Sequence, residues 1–257
     1  MNLGIAGRTV LITGGSKGIG YAVARQFAEE GCNLILVARD VAALTHARDR
    51  IREQFAVEVT VRALDLSVVS ATQALSTEFP AIDILVNNAG AIRRGKIEEV
   101  EDALWREFWD LKVYGYINLC RAFFAHMKAR RRGVIVNIIG ASGEKLNANY
   151  IAGSTGNAAL MAFTRALGGA APAFGLRVVG VNPGPVRTEK HIRTMQKRAE
   201  ELFADASRWE EARSFPFGRA ARPEEIAPMV AFLASDLSSY TTGTIVSIHG
   251  GYPDQPS

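Results

Sequence analysis

Short apolar, β-branched runs alternate with amphipathic stretches along almost the whole chain. Residues 8–13, 33–38, 58–63, 82–87, 134–139, 177–182 and 244–248 read as seven strands. They are near-continuously apolar, the pattern strands take when both faces of a parallel sheet are covered. Between them, 18–30, 41–54, 68–78, 101–130, 150–171 and 223–234 read as amphipathic helices. This alternation implies right-handed crossovers and a doubly wound, three-layer α/β sandwich around a seven-stranded parallel sheet. No repeat, low-complexity tract or linker divides residues 1–257, so one domain is expected. The charged, helix-prone stretch 188–222 predicts a lid over the carboxyl-end crevice, where open α/β sheets bind ligands.

Composition changes this picture little. Hydrophobic residues make up 48 %, enough for a large core, and the net charge of +4 comes from cations spread among nearly as many carboxylates. The densest basic run, Lys128-Ala129-Arg130-Arg131-Arg132, closes a predicted helix. Cations there complement the helix dipole, so no nucleic-acid partner is expected. Cys32 and Cys120 fall in apolar segments without metal-ligand spacing and read as small core residues. No disulfide, metal site, secretory leader or membrane span is expected, and a cytoplasmic setting follows.

The chemistry starts at the first strand. Thr13-Gly14-Gly15-Ser16-Lys17-Gly18-Ile19-Gly20 follows it and opens the first helix. Gly14 permits a tight turn, Gly18 lets backbone approach a pyrophosphate, and Gly20 allows close helix–strand packing. Such a turn can be purely structural, so its companions matter. Asp65-Leu66 follows the third strand, and Asn87-Asn88-Ala89-Gly90 ends the fourth. Pro183-Gly184-Pro185-Val186-Arg187-Thr188 follows the sixth, and Gly218-Arg219, Pro223-Glu224-Glu225-Ile226-Ala227 and His249-Gly250-Gly251 close the chain.

In this order and spacing the motifs resemble the short-chain dehydrogenase/reductase family over residues 5 to about 252. The resemblance implies a Rossmann-type fold and a nicotinamide cofactor. It places Gly14, Gly18 and Gly20 at the pyrophosphate, counts Ser16, Lys17 and Ile19 of the same turn among the cofactor-binding residues, and sets Asp65 and Leu66 beside the adenine. Asn87, Ala89 and Gly90 would lie near the ribose, and Pro183, Gly184, Val186 and Thr188 at the nicotinamide. The tip of the second strand reads Ala38-Arg39, with no carboxylate at position 38 to repel a 2′-phosphate. Lys17 and Arg39 would both face that phosphate, so NADP(H) is the expected cofactor. Asp40 follows, but its side chain need not face the ribose.

The resemblance fails at four positions. The family's proton-handling Asn, Ser, Tyr and Lys fall, without gaps, on Lys112, Gly140, Gly153 and Asn157. Three substitutes are candidates for catalysis. Tyr150 lies one helical turn before Gly153, although a helical side chain there would lean away from the vacated space. Lys112 is long enough to reach into it, and burial would depress its pKa. Ser142 lies on the loop beside the expected substrate, with Glu144 and Lys145 as similar candidates. His191, with Lys190 and Arg193 in the lid, would meet an acidic substrate or simply face solvent.

Three functions remain open at this point. The first is an NADP(H)-dependent oxidoreductase acting on a carbonyl or alcohol with an altered proton relay. The others are a lyase or hydrolase on the same scaffold, and a catalytically silent dinucleotide-binding subunit. The family's assembly through two long helices implies a homotetramer or homodimer, with Phe123, Phe124, Leu160, Met161 and Phe163 as material for the interface.

Overall fold

All seven apolar runs form strands in the computed structural model, which describes residues 2–90 and 92–251. They are β1 (Thr9–Thr13), β2 (Asn33–Ala38), β3 (Val59–Ala63), β4 (Ile84–Asn87), β5 (Gly133–Ile138), β6 (Leu176–Pro183) and β7 (Ile245–Ile248). The sheet is parallel throughout, in the order β3-β2-β1-β4-β5-β6-β7. Strand order reverses between β1 and β4, which opens a crevice at their carboxyl ends.

The helices are α1 (Gly18–Glu29), α2 (Val41–Arg52), α3 (Val69–Glu78), α4 (Asp102–Trp109), α5 (Gly115–Arg130), α6 (Ile151–Ala170), α7 (Glu189–Phe203) and α8 (Ala227–Ala234). Two apolar layers cover the sheet. One is built on α1 and α8 through Phe27, Val23 and Val230; the other is built on α5 through Leu119, Phe123 and Met127. Cys32 and Cys120 are both buried in these layers, as their apolar settings predict. The basic run at the end of α5 ties that helix to the sheet. Arg130 donates to the carbonyls of Ala81 and Ile82, and Arg132 pairs with Asp83 at 3.0 Å.

Two helix predictions need correction. Residues 101–130 do not form one α-helix: a π-helical turn, Asp110–Tyr114, separates α4 from α5. The Gly115 N–H reaches back to the Asp110 carbonyl, and a Cβ on Gly115 would lie only 3.2 Å from the Leu66 carbonyl oxygen. Close backbone approach at Gly115 thus coincides with the wider turn, and Lys112 lies inside that turn. Tyr150 is not helical either. Its backbone has φ −142° and ψ 41°, one residue ahead of α6.

The expected interface residues also need reassignment. Phe123, Leu160 and Met161 are 0 %, 0 % and 5 % exposed and pack within the chain, because α5 and α6 both need an inward apolar face. Phe124 and Phe163 remain half-buried. Stretch 188–222 contains α7 followed by short turns.

Candidate active site

The glycine turn joins β1 to α1 through backbone contacts that tolerate no side chain. Gly14 and Gly18 take left-handed backbone angles, φ +66° and +54°. A Cβ on Gly20 would overlap the Gly14 carbonyl oxygen, so α1 sits as close to the strand as glycine allows. The Thr13 hydroxyl accepts the N–H groups of Asn88 and Ala89 at 2.9 and 3.0 Å, while Asn88 Nδ2 donates to the Thr13 carbonyl at 3.0 Å. These bonds lock the ends of β1 and β4 together beneath the crevice. Above, the Thr188 methyl would stand 3.0 Å from a Cβ on Gly18. Thr188 also caps α7, its hydroxyl accepting the His191 N–H at 3.2 Å. A glycine-lined cradle facing the N-terminus of α1 fits a dinucleotide pyrophosphate.

At the adenine end, Lys17 precedes α1 and its ammonium lies 3.4 Å from the Asp40 carboxylate. Asp40 caps α2, accepting the Ala43 N–H at 3.0 Å, so its carboxylate is committed to the helix. Arg39 is exposed beside it. Asp65 accepts both the Ser67 N–H and hydroxyl, which hold its pKa low, and the charge of Arg39 adds to this. Leu66 is buried, and Ile19 packs half-buried against the core.

The remaining cofactor candidates vary in placement. Asn87 is fully buried, and its amide donates to Asn137 Oδ1 at 2.9 Å, so its side chain ties β4 to β5 rather than facing the crevice. Gly90 lies under the aliphatic chain of Lys112, where any Cβ would overlap it. Pro183 ends β6, Gly184 packs against His249, and Val186 is buried and bridges Ala221. Ser16 stays within the glycine turn between Gly14 and Gly18.

Past the nicotinamide end, Lys112 is 9 % exposed. Its ammonium donates to the carbonyls of Ile139 and Ile138 at 2.9 and 3.2 Å and reaches the Tyr116 hydroxyl at 3.5 Å. Tyr116 in turn donates to the Ile138 carbonyl at 2.9 Å. Burial pushes the Lys112 pKa down to about 7, with a smaller push from the charge of Lys190. The ammonium therefore sits at the carboxyl end of β5, immediately before Gly140.

Gly140 has φ +136°, and a Cβ there would be 2.9 Å from Asn157 Nδ2. That amide donates instead to the Ser142 hydroxyl at 2.8 Å, which leaves the Ser142 proton available to a substrate oxygen. The Gly140 N–H is held by Asn182 Oδ1 at 3.2 Å. Asn182 Nδ2 donates to Glu144 at 2.6 Å, and Ser247 and His249 also hold that carboxylate. Glu144 thus anchors the loop to β6 and the chain end.

Tyr150 reaches the place expected to be out of its range. Because it precedes the helix, its side chain escapes the backward lean of helical residues, and its ring lies where a Cβ on Gly153 would project. The side chain packs against the buried cluster of Ile92, Val100, Phe108 and Ala152. Burial raises the phenol pKa, while the charge of Arg94 lowers it. Sequence reading missed Arg93 and Arg94, although they closely follow the Asn87–Gly90 motif. Gly95 bridges Tyr150 and donates its N–H to the Asn149 carbonyl at 3.0 Å, which brings this pair to the site.

The family profile described as Enoyl-(Acyl carrier protein) reductase matches residues 14–253, nearly the whole length. The chain belongs to the short-chain dehydrogenase/reductase family. Within it, the galactitol 2-dehydrogenase (L-tagatose-forming) of Cereibacter sphaeroides is 35 % identical over 250 residues, covering 96 % of this chain and 95 % of that protein. The L-sorbose reductase from Gluconobacter frateurii, solved with NADPH and L-sorbose, superposes with a TM-score of 0.93 at 31 % identity, covering 100 % of both chains. An NAD+-bound xylitol dehydrogenase superposes at 0.86 with 27 % identity, covering 96 % of this chain and 99 % of that one. Short-chain dehydrogenase/reductases of this shape therefore carry either nicotinamide nucleotide, and the choice rests on this chain's own residues. With the relatives being oxidoreductases, this protein is an oxidoreductase of the same family.

Proposed function

We propose that the protein is an NADP(H)-dependent oxidoreductase interconverting a carbonyl and an alcohol, with its proton chemistry rebuilt around Tyr150, Ser142 and Lys112. The observation that carries this is the Tyr150 ring lying over Gly153, so that a phenol occupies the face from which the family tyrosine would project. The four altered positions are filled rather than hollow. Asn157 has turned to Ser142, Lys112 spans to the end of β5, and the backbone at Gly140 suits only glycine. Such mutual fitting supports a working site over a decayed one.

The glycine turn of Gly14, Gly18 and Gly20 would hold the nicotinamide nucleotide, which when bound would supply or accept the hydride. In reduction, the Tyr150 hydroxyl gives its proton to the substrate oxygen, and the Ser142 hydroxyl orients that oxygen. Lys112 holds the end of β5 and, when protonated, places a positive charge near the developing alkoxide. All its short contacts go to carbonyls and Tyr116, so Lys112 acts by position and charge rather than as the direct donor. The test is NADPH oxidation with a panel of carbonyl compounds. Tight NADPH binding with no turnover of any of them would favour a silent binding subunit.

The cofactor preference is supported by Lys17 and Arg39, the cations expected to meet a 2′-phosphate, with Asp40 serving as a helix cap. NADPH is expected to bind at least about tenfold more tightly than NADH, a difference of about 1.4 kcal/mol. Arg39→Asp should shift the preference toward NADH in a fluorescence titration; an unchanged ratio would remove Arg39 from the site.

A homotetramer or homodimer with two-fold symmetry is the expected assembly. Half-buried Phe124 and Phe163 are the remaining apolar material from the expected set. Light scattering at micromolar concentration should give two or four times 27.8 kDa; a monomer would exclude it.

A further inference from the structure

The mouth of the site is strongly basic. Arg93 and Arg94 lead into Gly95, whose backbone bridges Tyr150. Opposite them, the first turn of α7 carries Lys190 and His191, placed over the glycine turn by Thr188. Lys112 lies deeper, at the end of β5. Arg93, Arg94 and Lys190 are exposed, and among the described residues their side chains make no hydrogen bond or ion pair.

These cations act on one another. Lys190 is held below its ordinary pKa by desolvation and then by Arg93, and its own charge depresses Lys112. Burial lowers the His191 pKa, and Arg213 and Arg94 lower it further. No carboxylate contributes to the shift of Lys112, Lys190 or His191. The nearby acids are committed elsewhere. Glu144 is held by Asn182, Ser247 and His249, Glu99 accepts the Lys96 N–H, and Glu189 pairs with Arg193 on the outer face of α7. That last pair removes Arg193 from the cluster predicted for the lid.

Uncompensated like charges around a cleft cost stability unless an anion neutralises them, and a cleft lined by one sign concentrates ligands of the other. Lys17 and Arg39, the cations expected to meet the cofactor's 2′-phosphate, stand at the other end of the crevice. The mouth cluster lies on the substrate side, beside Tyr150. We infer that the substrate is a small oxyanion, a carbonyl or hydroxyl compound bearing a carboxylate or phosphate, whose anionic group is held by Arg93, Arg94 and Lys190 while its reacting carbon faces Tyr150. Guanidinium groups suit this role because they meet either oxyanion bidentately. The inference rests on the proposed oxidoreductase reading and adds the class of its substrate.

The test uses a matched set: L-sorbose as the neutral ketose, 5-keto-D-gluconate as the carboxylate and D-fructose 6-phosphate as the phosphate. Turnover with NADPH and calorimetric binding, with and without NADPH, are measured for each. One of the two anions should exceed L-sorbose by about tenfold or more in kcat/KM or affinity, and which one does so identifies the oxyanion. The advantage should shrink as salt rises from about 0.05 to about 0.5 M. The double variant R93Q/R94Q should reduce the anion-to-neutral ratio at least about fivefold, chiefly through KM, whereas R52Q on α2 should leave the ratio in place.

Equal or better binding of L-sorbose overturns the inference, as does a ratio unmoved by R93Q/R94Q. A proportional loss of NADPH affinity in R93Q/R94Q also overturns it, because those cations would then serve the cofactor. Failure of NADPH to bind the parent protein strikes the oxidoreductase reading instead. Anion binding to the free protein still decides the charge argument in that case.

Discussion

Replacing Tyr150 with Phe is expected to lower kcat at least about tenfold, and up to the ~10²–10⁴ that a positioned general acid supplies. NADPH affinity should stay within about threefold, as expected of a group that acts in the transition state. The change removes one hydroxyl and keeps the ring against the cluster of Ile92, Val100, Phe108 and Ala152, so folding should be unaffected. Single-turnover kinetics with saturating NADPH would check this. A variant as fast as the parent would exclude Tyr150 as donor and leave the Ser142 hydroxyl as the next candidate. Restoring the family pattern by Gly153→Tyr should not rescue the variant, because the new side chain would have to pass through the ring of residue 150.

The second large effect concerns Lys112, where activity and stability should move in opposite directions. Its pKa is about 7 in the folded protein against 10.5 as a free side chain. Below pH 7 both states carry the proton, and the folded state bears the full cost of a buried charge. Between the two values the unfolded chain keeps a proton that the folded chain has lost, so stability rises with pH, by at most about 1.4 kcal/mol per unit. Lys112→Met removes that cost but leaves the Ile139 carbonyl without its donor, a partial offset of about 1–3 kcal/mol.

The variant should therefore be more stable than the parent by about 2 kcal/mol at pH 7, with the gap closing toward pH 10. Denaturant melts across that range would measure it. At the same time reductive activity should fall at least about tenfold. In the parent, kcat/KM should decline as pH rises through about 7, where Lys112 loses its charge; in the variant that step should vanish. A purely packing role for Lys112 would leave the pH profile unchanged.

The strands show how directly apolar patterning encodes this fold. Runs such as Asn33–Ala38 and Leu176–Pro183 are apolar on both faces because helices cover both sides of the sheet. The glycine turn was equally legible, since Gly14, Gly18 and Gly20 are required by backbone geometry that depends on near neighbours in sequence. The four positions where the family resemblance is expected to break, Lys112, Gly140, Gly153 and Asn157, could be named from the sequence in the same way, because each is a residue identity at a fixed spacing.

What filled those positions could not. Whether Tyr150 reaches Gly153 depends on one backbone step, its extended φ before α6, and the bridge to Gly95 that accompanies it joins segments far apart in sequence. The π-helical turn around Lys112 arises where Gly115 meets the Leu66 carbonyl, another long-range approach that helical periodicity does not record. The cation cluster is likewise a tertiary product, since Arg93 and Arg94, Lys190, and Lys112 come from separate stretches and come near enough to act on one another only in the folded chain. Local pattern determined the sheet and the dinucleotide turn, because those depend on residues close in sequence and on which faces are buried. Only the folded chain decided that Tyr150 lies over Gly153 and that Lys112 reaches the end of β5, because both depend on side chains meeting across the crevice.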